Sequence, residues 1–451
     1  MALWLGQTIS YIGDYFYWLA IPIMVERLTG SALQVGLSVI SSTLPMLVLG
    51  PVAGVFVDRW DRKRTMIVAD LLRALLVLLC LQVRTPDQVW IYYVAGFLLS
   101  SVSRFFFPAQ NAVLPLIVRD RSDLLAANGL MQIVQTLGLL AGPALAGFSI
   151  ALWGEQVAFV VDSATYLVSA AAIMTMTVPR TTEAVQRAAG IAGGELAAVW
   201  TELREGLAYL FGNRTMAGIL ICFSVVQLGV GAIHVIWVPF LQRTFGLGPE
   251  GLGAMDTAQG LGMALGGIGL GFVANRFRQK ALAAWGLILI GADIALIGLA
   301  PSFSLVDLIP SLGIEMEMAM MTVGQRLLYI PLVLLVLMIL FGIVLVPAQS
   351  ALMTMMQLAV PDLKRGRVGS ALNALTTVAG LLSMALAAAL GDLIALRTIY
   401  FVAGLITVVG GLLGLWVLEE PEIQPDDQEA DEMAGHMLAN SPATAESATD
   451  E

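Results

Sequence analysis

Apolar residues run in long blocks along most of this chain, broken at intervals by short clusters of charged and turn-forming residues. An α-helix rises 1.5 Å per residue, so about 20 apolar residues are needed to cross the hydrocarbon layer of a membrane. On that measure the pattern predicts an all-α membrane protein with twelve transmembrane helices. The first six fall near residues 3–25, 34–57, 65–83, 89–114, 128–152 and 155–177. The second six fall near 215–241, 251–273, 281–300, 327–350, 367–390 and 394–418. A polar stretch from Pro179 to Arg214 separates the groups. The expected units are a six-helix bundle at 1–178, a cytoplasmic linker at 179–214, a second six-helix bundle at 215–418 and a tail at 419–451.

The two groups repeat one another. Ile21-Pro22 matches Val238-Pro239, Gly54 matches Gly271, and Asp58-Arg59 matches Asn275-Arg276, all at one offset of 217 residues. Further on, Pro108-Ala109-Gln110-Asn111-Ala112 matches Pro347-Ala348-Gln349-Ser350-Ala351 at an offset of 239. The change of offset predicts an outer insertion at about 302–325, which carries Glu315 and Glu317. A parallel repeat of this kind is the sequence trace of transporters whose halves rock about a site between them. Lys and Arg gather on one set of loops, as in Arg59-Trp60-Asp61-Arg62-Lys63-Arg64, Arg276–Lys280 and Lys364–Arg367, while the other loops carry Arg27, Arg84, Arg243, Arg326 and Arg397. The positive-inside rule then puts both termini in the cytoplasm.

Composition agrees with a lipid-embedded body. Of the 451 residues 58% are hydrophobic and only 12% charged, about half the charged share of a soluble domain. The net charge of −10 comes from the acidic stretch Glu419–Glu451, without which 22 acids face 23 bases. That stretch is expected to be a disordered tail, and no nucleic-acid footprint appears. Cys80 and Cys222 sit in apolar runs and read as small core residues, with no disulfide or metal spacing. The opening apolar run exceeds signal-peptide length, and its start at Met-Ala-Leu-Trp suggests that a few upstream residues are missing.

Two motifs carry a family resemblance. Between the second and third spans stands Gly54-Val-Phe-Val-Asp58-Arg59-Trp-Asp61-Arg62-Lys63-Arg64. It resembles the inner-gate signature of major facilitator transporters, departing from it at Asp61, where that pattern has Gly. A weaker copy lies at Gly271, Asn275 and Arg276. On the fifth span, Gly129, Gly138, Gly142-Pro143 and Gly147 resemble the antiporter motif of major facilitator exporters, with Ala146 replacing one Gly. With Gly13-Asp14 and Phe107-Pro108-Ala109-Gln110, the chain resembles the branch of macrolide-efflux and enterobactin-exporter-like proteins over about residues 3–418. The resemblance implies export over uptake.

Charges inside spans need a reason, since each costs at least ~2.5–3.5 kcal/mol at mid-bilayer. Asp14 is the one charge between Leu3 and Val25. Helical spacing sets Gln7, Ser10, Asp14 and Tyr17 on one face, with Tyr11 nearby, and the repeat sets Gln227 and His234 opposite. These residues, with Trp237 and Gln259, are the expected cavity lining for the substrate. Asp14, Arg104 and Asp256 are the candidates for proton coupling. Arg104 either partners Asp14 or reaches back to the surface. Asp70 and Arg73, three apart on a helix, are expected to pair with each other or with the inner gate, a spacing that speaks for structure before function. Asp162 and Asp293 are expected in packing roles.

No phosphate-binding loop, metal cluster or nucleophile arrangement is present, so neither ATP nor enzyme chemistry is expected. The expected function is proton-driven export of a drug, macrolide or siderophore-like metabolite from the inner membrane of a bacterial cell. The proton gradient would serve as energy source, with no cofactor and no ATPase subunit, by a monomer whose partners are substrate and lipid bilayer. The alternatives are translocation of a lysophospholipid-like substrate and a non-transporting sensor or scaffold.

Overall fold

The computed structural model describes residues 2–57, 59–118, 121–178, 195–273, 276–302, 304–308 and 321–420. The long helices of the first half are α1 (Ala2–Thr29), α2 (Ala32–Val57), α3 (Arg62–Leu79), α4 (Trp90–Ile117), α5 (Arg121–Trp153) and α6 (Gln156–Thr175). Helix α7 (Glu195–Gly212) follows. The second half contributes α8 (Arg214–Phe245), α9 (Pro249–Val273), α10 (Gln279–Leu299), α11 (Leu332–Ala359), α12 (Asp362–Leu390) and α13 (Leu396–Val417). Among the described residues the only sheet-type pairing is an isolated bridge between Ser304 and Pro331.

Ten of these helices are long and apolar enough to cross a membrane. Helices α1 and α9 fall outside that set because α1 carries Gln, Ser, Asp and Tyr, and α9 is rich in Gly. Length is not what excludes them, since their 28 and 25 residues reach ~42 and ~37 Å. The polar stretch at 179–214, expected as plain linker, holds α7, which packs mainly on α12. The acidic residues Glu419 and Glu420 reach Arg214 and Arg278, at 3.5 and 3.6 Å. Residues 421–451 and the insertion's Glu315 and Glu317 lie outside the described residues.

Local chemistry explains several boundaries. Asp61, the residue at which the gate motif departs from its pattern, caps α3 by accepting the Arg64 amide at 2.8 Å. Asn213 caps α8 through the Met216 amide at 3.1 Å, and Gly246 ends that helix in the left-handed region, at φ +67°. Lys63 Nζ donates to the carbonyls of Met174 and Met176 at 2.8 and 2.6 Å, so it closes the end of α6.

Helices pack mostly within their own half: α1 on α5 and α6, α3 on α4 and α6, α8 on α12 and α13, α10 on α11 and α13. The repeat has a geometric counterpart at two glycines. A methyl group at Gly13 would lie 2.0 Å from Thr165 Oγ1, and one at Gly229 would lie 2.0 Å from Thr407 Oγ1. Each glycine thus lets the leading helix of its half (α1 or α8) close onto the last (α6 or α13).

The halves meet along α5–α9 and α2–α12. At the end remote from residue 2, Arg243 of α8 holds Glu26 of α1 with contacts of 2.5 and 3.0 Å, and these two positions are repeat equivalents. Arg243 also bonds the Gly30 carbonyl at 2.9 Å and Asp392 at 3.1 Å. Asp392, just past α12, accepts Ser31 Oγ, Ala32 N and Leu33 N at 2.7, 2.8 and 3.2 Å. The second half therefore supplies the N-terminal cap of α2 in the first. Partial burial works against ionising Asp392, but these hydrogen bonds and Arg243 outweigh it and hold its carboxyl below the usual range.

Candidate functional site

A central cavity lies between the halves as two abutting compartments of about 450 and 350 Å³. Trp18, Val39 and His234 belong to the walls of both. The larger compartment is largely apolar and aromatic, with Tyr15, Trp237, Met263, Phe341 and Tyr400, and its polar groups include Asp256, Gln259 and Gln349. The smaller compartment carries Asp14, Tyr17, Ser42, Thr43, Arg73, Ser100, Arg104 and Tyr166. A few polar groups in a mainly apolar cavity of this size suit a small amphipathic molecule.

Of the residues singled out in the sequence, Tyr17, His234, Trp237 and Gln259 line these compartments. Gln7, Ser10, Tyr11 and Gln227 do not line these compartments. The reason is level along the helix: Gln7 and Ser10 share a face with Asp14 and Tyr17 but lie nearer residue 2, where Gly6 closes α1 onto Ala172 and Ser169 of α6. Gln7 is buried there, donating to Ser169 Oγ at 3.0 Å and accepting from Gln110 Nε2 at 3.1 Å. Both residues tie α1 to its neighbours, the cheap solution for polar groups away from water. Tyr11 lies against Gly138 and its hydroxyl accepts from Gln135 at 3.4 Å. Gln227 lies near Gly380 of α12.

Behind the smaller compartment is a cluster that the linear pattern did not assemble. Arg73 forms a buried ion pair with Asp70, both almost without solvent contact at 3% and 0%. Its guanidinium lies 4.1 Å from the Phe106 ring centre and 4.6 Å from that of Tyr166. The Tyr166 hydroxyl donates to Asp14 at 2.7 Å. Asp162, one turn before Tyr166 on α6, is completely buried, and neither carboxylate oxygen has a hydrogen-bond partner among the described residues. Asp14 and Arg73 lie within electrostatic reach of it.

Three carboxylates thus share the electrostatic surroundings of one guanidinium. Asp162 was expected in a packing role, and Asp70 with Arg73 as structure before function; the fold adds both to the surroundings of Asp14. The i,i+4 spacing of Asp162 and Tyr166 is the signal in the chain that points to α6. Arg104 lines the compartment half-buried and makes no ion pair with Asp14; its Nε has no hydrogen-bond partner among the described residues. Asp256 accepts the Trp237 indole at 3.0 Å. Asp293 belongs to neither compartment.

The glycines of the fifth-span motif divide their work. Gly138 and Gly142 receive Tyr11 and Tyr15 of α1, and a methyl at Gly142 would come 2.3 Å from the Tyr15 ring. Gly147 meets Gly253 of α9, where a methyl would lie 2.4 Å from the Pro249 carbonyl. The Pro143 carbonyl lies at the same crossing, 2.3 Å from a methyl placed at Gly253, and Gly129 faces open space. Of the gate motif, Gly54 has open space around it, and Arg62, Arg64 and Arg276 lie at the end that bears residue 2. Arg59 also lies at that end, whereas Asp58 and Asn275 fall outside the described residues.

The family model described as Major Facilitator Superfamily matches residues 3–327 and again 219–445. The chain belongs to this superfamily. Similar proteins include an uncharacterized MFS-type transporter, YfiS, of Bacillus subtilis, 29% identical over 422 residues and covering 92% of each chain. Macrolide efflux protein A of Streptococcus pyogenes is 26% identical over 303 residues, 66% of this chain and 72% of its own. Membership of the superfamily makes the chain a transporter and not an enzyme. In fold it is similar to a bacterial homologue of the iron transporter ferroportin solved in an inward-facing state, with TM-score 0.65, 15% identity, and 92% and 97% of the two chains covered.

Proposed function

We propose that this facilitator is a proton-coupled exporter of small amphipathic molecules that works by alternating access. The observation that carries the reading is the charge balance beside the cavity. Arg73 can neutralise one of Asp14, Asp70 and Asp162, so the others need protons or an incoming cation. Asp14 both lines the cavity and contacts the cluster through Tyr166, which makes it the group best placed to exchange that proton. Asp256 stands apart on α9, against Trp237, and is better suited to the substrate than to the proton. Arg104 likewise lacks a coupling partner.

Support for alternating access comes from the distribution of contacts. Arg243, Glu26 and Asp392 join the halves at one end, while Gly54, Gly129 and Gly271 near the other end have nothing close by. We read α1 and α9 as spans as well, which makes twelve. The basic loops then put both termini on the cytoplasmic side of a bacterial inner membrane. The closed end faces outward, and the cavity serves the cytoplasm.

The test uses the protein in liposomes with a pH-sensitive dye inside and an imposed gradient. A macrolide, an amphipathic cation and an amphipathic zwitterion are added in turn. Substrate-evoked proton movement that is lost in Asp14→Asn is the expected result. Movement that persists at wild-type rate in Asp14→Asn, or its absence with every compound, counts against coupled export through this group.

A further inference from the structure

Arg104 and Asp256 both line the cavity and form no ion pair among the described residues, and they stand on opposite halves. Arg104 of α4 faces the smaller compartment beside Ser100, with its Nε unpartnered among the described residues. The other cation of that compartment, Arg73, is engaged by Asp70 and boxed by Phe106 and Tyr166. In the larger compartment, Asp256 of α9 receives the Trp237 indole and forms no ion pair among the described residues.

A charge held away from bulk water without a counter-charge is costly unless something completes it. The guanidinium offers a planar fork of donors, which fits a carboxylate. The carboxylate offers an acceptor that fits an ammonium group, with Trp18, Trp237 and Tyr15 beside it as π faces. Trp18, Val39 and His234 wall both compartments, so the two adjoin.

We propose that the cavity recognises zwitterionic amphipathic molecules, with the carboxylate of the ligand on Arg104, its ammonium on Asp256 and its apolar body against the aromatic wall. This rests on the cavity being the substrate site of an exporter, and it narrows the substrate class from amphipathic molecules to those bearing both charges. Asp14 stays with the proton cluster through Tyr166, so the proton and the amine use different carboxylates.

The test uses the full chain in lipid nanodiscs and follows binding through the change in intrinsic tryptophan fluorescence, to which Trp18 and Trp237 of the cavity wall contribute. The probes are three forms of one apolar dipeptide: phenylalanyl-leucine, its C-terminal amide, and its N-acetyl derivative. The free dipeptide is expected to bind about tenfold more tightly than either capped form, the worth of one charge-assisted hydrogen bond. Arg104→Gln should erase the advantage over the amide and keep that over the N-acetyl form. Asp256→Asn should do the reverse. Melting curves of both variants confirm that they fold.

Equal binding of a capped form to the wild type would overturn the proposal, as would failure of all three to bind. A variant that weakens the three forms equally has a structural role and overturns it too. Failure of export is separable. The expected binding pattern without proton movement leaves this inference standing and removes coupled export. Proton movement evoked by cations without a carboxylate keeps export and removes the inference.

Discussion

Replacing Asp392 by Ala should open the end of the molecule remote from residue 2. Asp392 caps α2 from the other half, accepting Ser31 Oγ and the Ala32 and Leu33 amides, and it pairs with Arg243 at 3.1 Å. Loss of an N-cap costs about 1 kcal/mol. The ion pair, about one-third exposed on each side, adds roughly 0.2–1 kcal/mol. The closed arrangement is therefore weakened by about 1.2–2 kcal/mol, roughly an eight- to thirtyfold change. That is enough to raise an open fraction of ~1% to ~10–20%. Spin labels on Arg84→Cys and Ser302→Cys, both exposed, report the separation of the halves by double electron–electron resonance. The native Cys80 and Cys222 are buried and stay unlabelled. Asp392→Ala should add a long-distance population, while Asp392→Asn, which still caps, should shift it less. An unchanged distribution in the Ala variant, or an Asn variant as open as Ala, refutes the account.

The same site has a pH signature. Because the closed form holds the Asp392 carboxyl below its ordinary value, its stabilisation is fully present above that ordinary value and disappears only as pH falls through the lowered one. The difference between wild type and Asp392→Ala should therefore stay constant from pH 8 to about 5 and vanish only at strongly acid pH; a difference that fades between pH 8 and 6 would contradict it. Arg73→Gln leaves Asp70 buried without its counter-charge and should cost about 3–5 kcal/mol in a detergent melting experiment, with Asp70→Asn/Arg73→Gln recovering much of it. Equal stability of the single and double variants would deny the ion pair that role. Gly147→Ala drives a methyl against the Pro249 carbonyl and should destabilise the α5–α9 crossing by about 1–3 kcal/mol, whereas Gly129→Ala, with open space around it, should stay within about 0.5 kcal/mol of wild type. Side-by-side melting curves decide between them.

Much of the architecture is legible in one dimension because the bilayer imposes it. A lipid solvent demands long apolar helices, and these show in the chain as runs longer than any soluble helix needs. Helices α1 and α9 are harder to read from apolarity, since cavity-facing and close-packed helices carry polar or small residues in place of aliphatic ones. The Asp70–Arg73 pair was legible because both partners lie within one turn of one helix. Asp162 was not, since its neighbours Asp14 and Arg73 come from α1 and α3.

The chain by itself determined the helical class, the twofold repeat of its halves, the glycine-lined fifth span and the presence of carboxylates within apolar runs. Periodicity and composition carry that information, because each depends on local spacing alone. Only the tertiary structure decided which stretch of the polar face of α1 meets the cavity. Gly6 closes α1 onto α6 beside Gln7, whereas Asp14, Tyr17 and Trp18 further along are left to the cavity. Only the structure, too, brought Glu26 and Arg243 together across the repeat and left Arg104 and Asp256, on facing halves, without an ion pair among the described residues. The physical reason is that which part of a helix is covered depends on where its neighbours can approach, and that is a property of pairs of helices rather than of one sequence.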